Sequence, residues 1–297
     1  MPQERLIAST EGYVTTEDGT RLFFTTLGTG PSTLLIPNGP PLIDDFLSLA
    51  VNRMLIFYDP RNRGLSDAVQ DHSRASGIHH DVDDMEAVRR HFGLARIDLL
   101  GHSYLGLAVI LFAMKYPTRV RRIVQIGAVA PIPATQYPPE LSCTDDILTA
   151  TLSELTELWK KPSTDDPELA CRRLWSVLRR IYVVNPADVD KLDRWQRCHL
   201  PNERQAAKYA METIIPSYIS LALSASDVAT VTMPVLTIHG RRDRSAPFGG
   251  GQDWAKLLPN GRLLTIENGG HMPWIDAPSV VLPSIERFLA EEPDQRR

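Results

Sequence analysis

The stretch that most restricts the fold of this chain is Ile97-Asp98-Leu99-Leu100-Gly101-His102-Ser103-Tyr104-Leu105-Gly106, which continues into the apolar run Leu105–Met114. A strand-length apolar segment meets a helix-length one across a few residues, two of them glycine. The backbone must turn sharply there, with Ser103 at the apex, and the glycines let strand and helix approach closely. Such a turn exposes the serine hydroxyl and directs a helix N-terminus at it, where backbone N–H groups and the helix dipole favour negative charge. A serine that merely caps a buried helix is the competing reading. The apolar strand on one side and the apolar helix on the other argue for the exposed apex.

Elsewhere the chain alternates between two patterns. Gly12–Thr16 and Arg21–Leu27 flank Asp18-Gly19, a hairpin signal. Short apolar runs follow at Thr33–Ile36, Met54–Tyr58, Ile97–Leu100, Val120–Ile126, Pro234–Ile238 and Arg262–Ile266. Each is strand-length, and continuous apolar runs suit a parallel sheet buried on both faces. Between them, Val82, Met85, Val88 and Phe92 recur at helical spacing before Gly93, Leu105–Tyr116 reads as a helix ended by Pro117, and Val280, Val281, Ile285, Phe288 and Leu289 mark a C-terminal helix. Alternation of this kind predicts an α/β fold with a doubly wound, mostly parallel sheet.

From Pro131 to Ala229 the alternation stops. Pro131, Pro133, Pro138 and Pro139 open the segment, and Leu148, Leu152, Leu155 and Trp159, then Leu174, Val177, Leu178 and Ile181, share helical faces. A single crossover needs only about a dozen residues. The predicted organisation is therefore a core domain of residues 1–130 and 230–297, with residues 131–229 inserted as a helical cap.

A hydroxyl alone is a poor nucleophile and needs a base oriented by an acid. Two glycine-rich turns that follow strands supply candidates: His239-Gly240-Arg241-Arg242-Asp243, and Gly269-Gly270-His271-Met272-Pro273. The predicted catalytic set is Ser103, Asp243 and His271, in that chain order. Asp276 is a competing acid near the histidine, and a loop ion pair with Arg241 or Arg244 is the competing role for Asp243. His102 is expected to pack beneath the turn. His79, His80, Asp81, Asp83 and Asp84 fall at a helix start, where acids suit the dipole, so neither a metal site nor a cofactor is expected.

With these motifs in place, the chain resembles the α/β-hydrolase superfamily, in the capped branch that includes proline iminopeptidases, esterases and epoxide hydrolases. Four segments match in order. Asn38-Gly39-Pro40-Pro41 stands where that family has His-Gly-x-Pro, and Asp59-Pro60-Arg61-Asn62-Arg63-Gly64-Leu65-Ser66 resembles D-x-R-G-x-G-x-S. The serine turn and the paired Asp243 and His271 motifs complete the series. The resemblance implies an oxyanion site built from Tyr104 and the loop Asn38, Gly39 and Pro40. Three departures stand out. Leu105 replaces a small residue, Asn62 replaces a glycine, and Pro40 falls where an N–H donor is expected although proline has none. A bulky Leu105 is expected to push the helix outward or to need a compensating gap.

The expected activity is that of a serine hydrolase cleaving a small, mostly apolar ester, lactone or amide through an acyl-enzyme. The alternatives are a proline-iminopeptidase-like aminopeptidase and a non-hydrolytic, lyase- or cyclase-like enzyme that uses the histidine as base. Serine at the apex disfavours epoxide-hydrolase and dehalogenase chemistry, which needs aspartate. In the cap, Trp159, Trp175, Trp195, Tyr182, Tyr209 and Tyr218 are candidates for the pocket wall or cap core, and Glu203 and Glu212 are read as surface carboxylates. A net charge of −4 disfavours a nucleic-acid partner, and no apolar run reaches the length of a membrane span, so a small-molecule substrate is expected. The charged residues within Met1–Thr10 do not suit a signal peptide. Cys143, Cys171 and Cys198, odd in number and far apart, are expected to be reduced thiols, which points to the cytoplasm.

Overall fold

The computed structural model describes residues 9–38, 40–69, 71, 77–160 and 166–291. Its strands are β1 Ser9–Thr15, β2 Arg21–Leu27, β3 Ser32–Pro37, β4 Arg53–Tyr58, β5 Ile97–His102, β6 Val120–Ile126, β7 Val235–Gly240 and β8 Gly261–Ile266. They form one eight-stranded sheet in the order β1-β2-β4-β3-β5-β6-β7-β8. β1 and β2 are antiparallel to their neighbours, and every pairing from β4 to β8 is parallel. The helices are α1 Ile43–Phe46, α2 Ile78–His91, α3 Tyr104–Lys115, α4 Asp146–Lys160, α5 Pro167–Leu178, α6 Pro201–Tyr209, α7 Ile215–Tyr218, α8 Phe248–Leu257, α9 Pro273–Asp276 and α10 Pro278–Ala290.

The apolar strands are buried on both faces because neighbouring side chains feed different layers. Leu35, Ile56, Leu99 and Ile123 join α2 and α3 in one core cluster. Leu34, Ile36, Leu55, Phe57, Leu100 and Val124 join α10 in the other. β5 extends to His102 because Gly101 and His102 still pair with Gln125 and Ile126 of β6. The strand therefore delivers its pairing right up to Ser103.

Among the described residues between β6 and β7 there are helices and no strand. The predicted apolar face of the first, α4, is rotated. Thr151 and Leu155 are buried while Leu152 and Trp159 are exposed, because α4 packs through the former side against α5 and the turn Arg179–Ile181. The cysteine expectation is corrected: Cys171 and Cys198 form a disulfide and only Cys143 is free. The fold brings their Cα atoms to 5.7 Å, within bonding reach, although 27 positions separate them in sequence. The cytoplasmic expectation loses the support it drew from reduced thiols. No helix of the described residues is long and apolar enough to cross a membrane.

Candidate active site

Ser103 sits between β5 and α3 with φ 59° and ψ −130°, an uncommon backbone for a residue with a side chain. Neighbouring strands hold it there. Its N–H donates to Ile126 O at 3.0 Å, and its carbonyl accepts from Gly106 and Val129 at 2.9 and 3.3 Å. A Cβ at Gly101 would stand 2.3 Å from Leu105 O, and one at Gly106 would stand 2.7 Å from Ala128 Cβ. Those two glycines carry the close approach. Leu105 lies in the core beside α2 and is essentially unexposed, so the outward-displaced helix expected from its bulk is not required.

The turns after β7 and β8 meet because Gly240 lacks a side chain: a Cβ there would fall 2.2 Å from both Gly269 O and Gly270 O. Asp243 Oδ2 is 2.8 Å from His271 Nδ1. Its Oδ1 accepts from the Ser245 and Ala246 N–H groups, each at 2.8 Å. Burial alone would raise the Asp243 carboxyl, but the adjacent His271 and His239 outweigh it and hold the group well below the usual carboxylate range. Asp276 does not approach the imidazole; its carboxylate accepts from the Gly270 and Val184 N–H groups at 2.7 and 3.0 Å. Arg244 pairs with Asp145 and Arg241 with Glu267, so neither takes Asp243 as an ion-pair partner. His102 lies under the turn, its Nε2 3.0 Å from His271 O and its ring against Trp274. Burial, then the nearby His271, push the His102 imidazole down to about 3, so it stays neutral.

Ser103 and His271 line one cavity of about 250 Å³, together with Asn38, Tyr104 and Leu105 from the core. The inserted segment, its helices and the connections between them, contributes Trp175, Tyr182, Trp195, Arg197 and Glu203. Trp159 instead is exposed, and Tyr209 and Tyr218 pack around Tyr104 and Arg63. Glu203 corrects the surface assignment: it lines the cavity, accepts from Gly64 N–H at 2.9 Å, and burial raises its carboxyl. Arg197 was not anticipated. It grips Asp59 through two bonds of 2.8 and 3.0 Å, a pairing across 138 positions that no local pattern announces.

The loop opposite the serine is only partly populated with donors. Asn38 has φ 93°, and its N–H is committed to Tyr58 O at 3.1 Å. Pro40 opens a 3-10 turn through Leu42 and brings no N–H. Gly39 lies outside the described residues. Asn62 adopts φ 63°, the left-handed backbone that asparagine tolerates in place of glycine. Arg61 and Ser66 brace that turn, Arg61 on Asp84 at 2.8 Å and Ser66 through the Phe23 N–H at 2.8 Å.

A family profile described as the alpha/beta hydrolase fold matches residues 43–278. The 2-hydroxymuconate semialdehyde hydrolase of Pseudomonas putida is 27% identical over 275 residues, 89% of this chain and 85% of its own length. A bifunctional esterase/perhydrolase of Acinetobacter calcoaceticus is 26% identical across 91% of this chain and 96% of its own. The human protein ABHD8 is 26% identical, but this chain spans only 44% of that protein's length. Among solved structures, an esterase from Exiguobacterium antarcticum superposes with a TM-score of 0.71 at 18% identity, covering 95% of this chain and 100% of that one.

Proposed function

The chain belongs to the α/β-hydrolase family of enzymes, and on that premise we propose a serine hydrolase that cleaves a small, mostly apolar ester, lactone or amide through Ser103, His271 and Asp243. The observation that carries this reading is the 2.8 Å contact of Asp243 with His271, on a cavity shared with a serine held at positive φ. Ser103 Oγ attacks the acyl carbon and His271 takes its proton. Asp243 fixes the imidazole through Nδ1 and stabilises the cation. The proton passes to the leaving group as the acyl–heteroatom bond breaks, and water then resolves the acyl-enzyme.

The oxyanion is held by the Tyr104 N–H at the start of α3 and by the Asn38 side-chain amide. With its backbone N–H spent on Tyr58, Asn38 has only the side chain to offer. The helices of residues 131–229 act as a lid, since they supply the aromatic wall of the cavity. Adduct formation at Ser103 by a fluorophosphonate, abolished in Ser103→Ala, tests the chemistry; an unlabelled wild-type serine rejects it. Glu203 on the cavity wall favours a second reading, a proline-iminopeptidase-like aminopeptidase, because a carboxylate suits a substrate ammonium. Cleavage of N-blocked substrates without cleavage of free prolyl amides excludes it.

A further inference from the structure

Next to the serine turn lies a charged assembly that the chemistry above does not use. Arg63 donates through Nη1 to the Tyr104 hydroxyl, and its Nη2 is 3.8 Å from Asp81 Oδ2. The same guanidinium lies 5.0 Å from the Tyr104 ring centroid and 5.7 Å from that of Tyr209. On another side, the Tyr104 ring is parallel to Tyr218, with centroids 6.3 Å apart and planes at 9°. Tyr209 and Tyr218 belong to the inserted helices, Asp81 to α2 and Arg63 to the turn after β4. The residue that follows Ser103 is thus gripped directly from two parts of the fold, and Asp81 of α2 braces one of them through Arg63.

The grip is strong by its chemistry. Arg63 is only 13% exposed at its side chain and Asp81 is fully buried. Neither Asp81 oxygen has a hydrogen-bond partner, so Arg63 is its nearby countercharge. A charged donor on a neutral phenol is stronger than a neutral pair, and cation–π attraction grows when water is excluded. Burial pushes the Tyr104 phenol well up, so it remains a neutral acceptor.

We propose that Arg63 is a positioning residue for the reaction: by clamping the Tyr104 side chain it fixes the Ser103–Tyr104 peptide whose N–H meets the oxyanion. The inference rests on the serine chemistry proposed above. An oxyanion donor works within a narrow distance range, so a loose Tyr104 costs rate rather than substrate affinity.

The test is a double-mutant cycle on an activated ester, measuring kcat and KM for wild type, Arg63→Met, Tyr104→Phe and the double variant. Arg63→Met is expected to lower kcat about 10-fold, the weight of one charge-assisted hydrogen bond, with KM nearly unchanged. In the Tyr104→Phe background the same change is expected to cost no more than about 3-fold, because the hydrogen bond is already gone and only the contact of the guanidinium with the ring is left to lose. Additive losses, an effect confined to KM, or no loss each overturn the proposal. If Arg63→Met does not fold, Arg63→Lys enters the same cycle, keeping the charge but losing the planar fork, with a smaller loss and the same dependence on Tyr104. Fluorophosphonate labelling of the wild type separates the two layers. A labelled enzyme with an additive cycle rejects only the role of Arg63, whereas an unlabelled one removes both readings.

Discussion

Gly127→Ala is expected to disable the base while leaving the fold standing. Gly127 follows β6 with φ +52°, and a Cβ there would stand 3.0 Å from His271 Nδ1, 3.0 Å from His271 O and 3.2 Å from Asp243 Oδ2. Ordinary contact begins a few tenths of an ångström farther out, and the neighbours have little room to give. His271 O is bonded to His102, and Asp243 is held by two backbone N–H groups. The left-handed backbone costs an alanine about 1–2 kcal/mol, and the three contacts add a comparable amount. The expected loss of stability is therefore about 2–4 kcal/mol, roughly 3–6 °C in Tm for a chain of this size. The effect on rate should be larger than that implies. Tilting a base by a fraction of its hydrogen-bond length lowers kcat by about 10- to 100-fold. Gly93→Ala is the control: its φ is +62° but nothing lies within 4 Å of the added carbon, so it carries the backbone cost alone and should leave kcat unchanged. Ester turnover, phosphonate labelling rate and thermal unfolding are measured on both variants. Full kcat and full labelling rate in Gly127→Ala would refute the idea that the Asp243–His271 pair sets the base.

Asn38→Ala, which removes the side chain proposed as the second oxyanion donor, is expected to lower kcat by about 100-fold with little change in KM; unchanged kcat in steady-state assays assigns that donor elsewhere. Asp81→Asn is expected to stabilise the protein at neutral pH. Burial, opposed by Arg63 and reinforced by Asp84, pushes the Asp81 carboxyl up to about 6, so the folded state prefers it protonated. That preference favours folding below pH 4 and is lost as pH rises toward 6, leaving a cost of about 3 kcal/mol above it at 1.36 kcal/mol per unit. Denaturant titrations should show the variant ahead at pH 7.5 and level with wild type near pH 3.5; equal stability at both contradicts the assignment. Leu105→Ala is expected to cost about 2–5 kcal/mol in the same titrations while Ser103 is still labelled by phosphonate, because Leu105 borders the cavity but its side chain is buried in the core. A loss of labelling without a loss of stability would reverse that.

The strands and the turn after β5 were legible because their determinants are local. An apolar run bounded by Gly, Pro or Asp needs no knowledge of its neighbours, and the boundaries moved by one to three residues where pairing extended them, as at Gly101 and His102 and at the start of β1. The placement of Asp243 and His271 at strand ends was legible for the same reason, since each follows an apolar run directly. The inserted helices were harder. Their existence follows from periodicity, but the side of α4 that is buried depends on what packs against it, and Thr151 took a place that Leu152 would claim on hydropathy alone. The disulfide and the Arg197–Asp59 clamp were not legible at all. Each joins residues whose neighbourhood is created by the fold, and neither has a sequence spacing that signals it.

The two departures at the serine turn have different physical standing. The demand for a small residue after the serine is a demand on backbone distance, and Gly101 and Gly106 meet it, which leaves Leu105 free to turn into the core. The demand for an oxyanion donor is a demand on the direction of an N–H, and another residue can meet it only if a backbone or side-chain donor of its own points to the same place. Pro40 cannot, and Asn38 has its N–H turned to Tyr58. A steric requirement can be passed to a neighbour along the chain, whereas a directional one must be met by another group at the same place in space. That asymmetry is why the bulk of Leu105 is absorbed within the turn, whereas on the proposed reading the Asn38 side chain takes over what neither the Asn38 N–H nor Pro40 supplies.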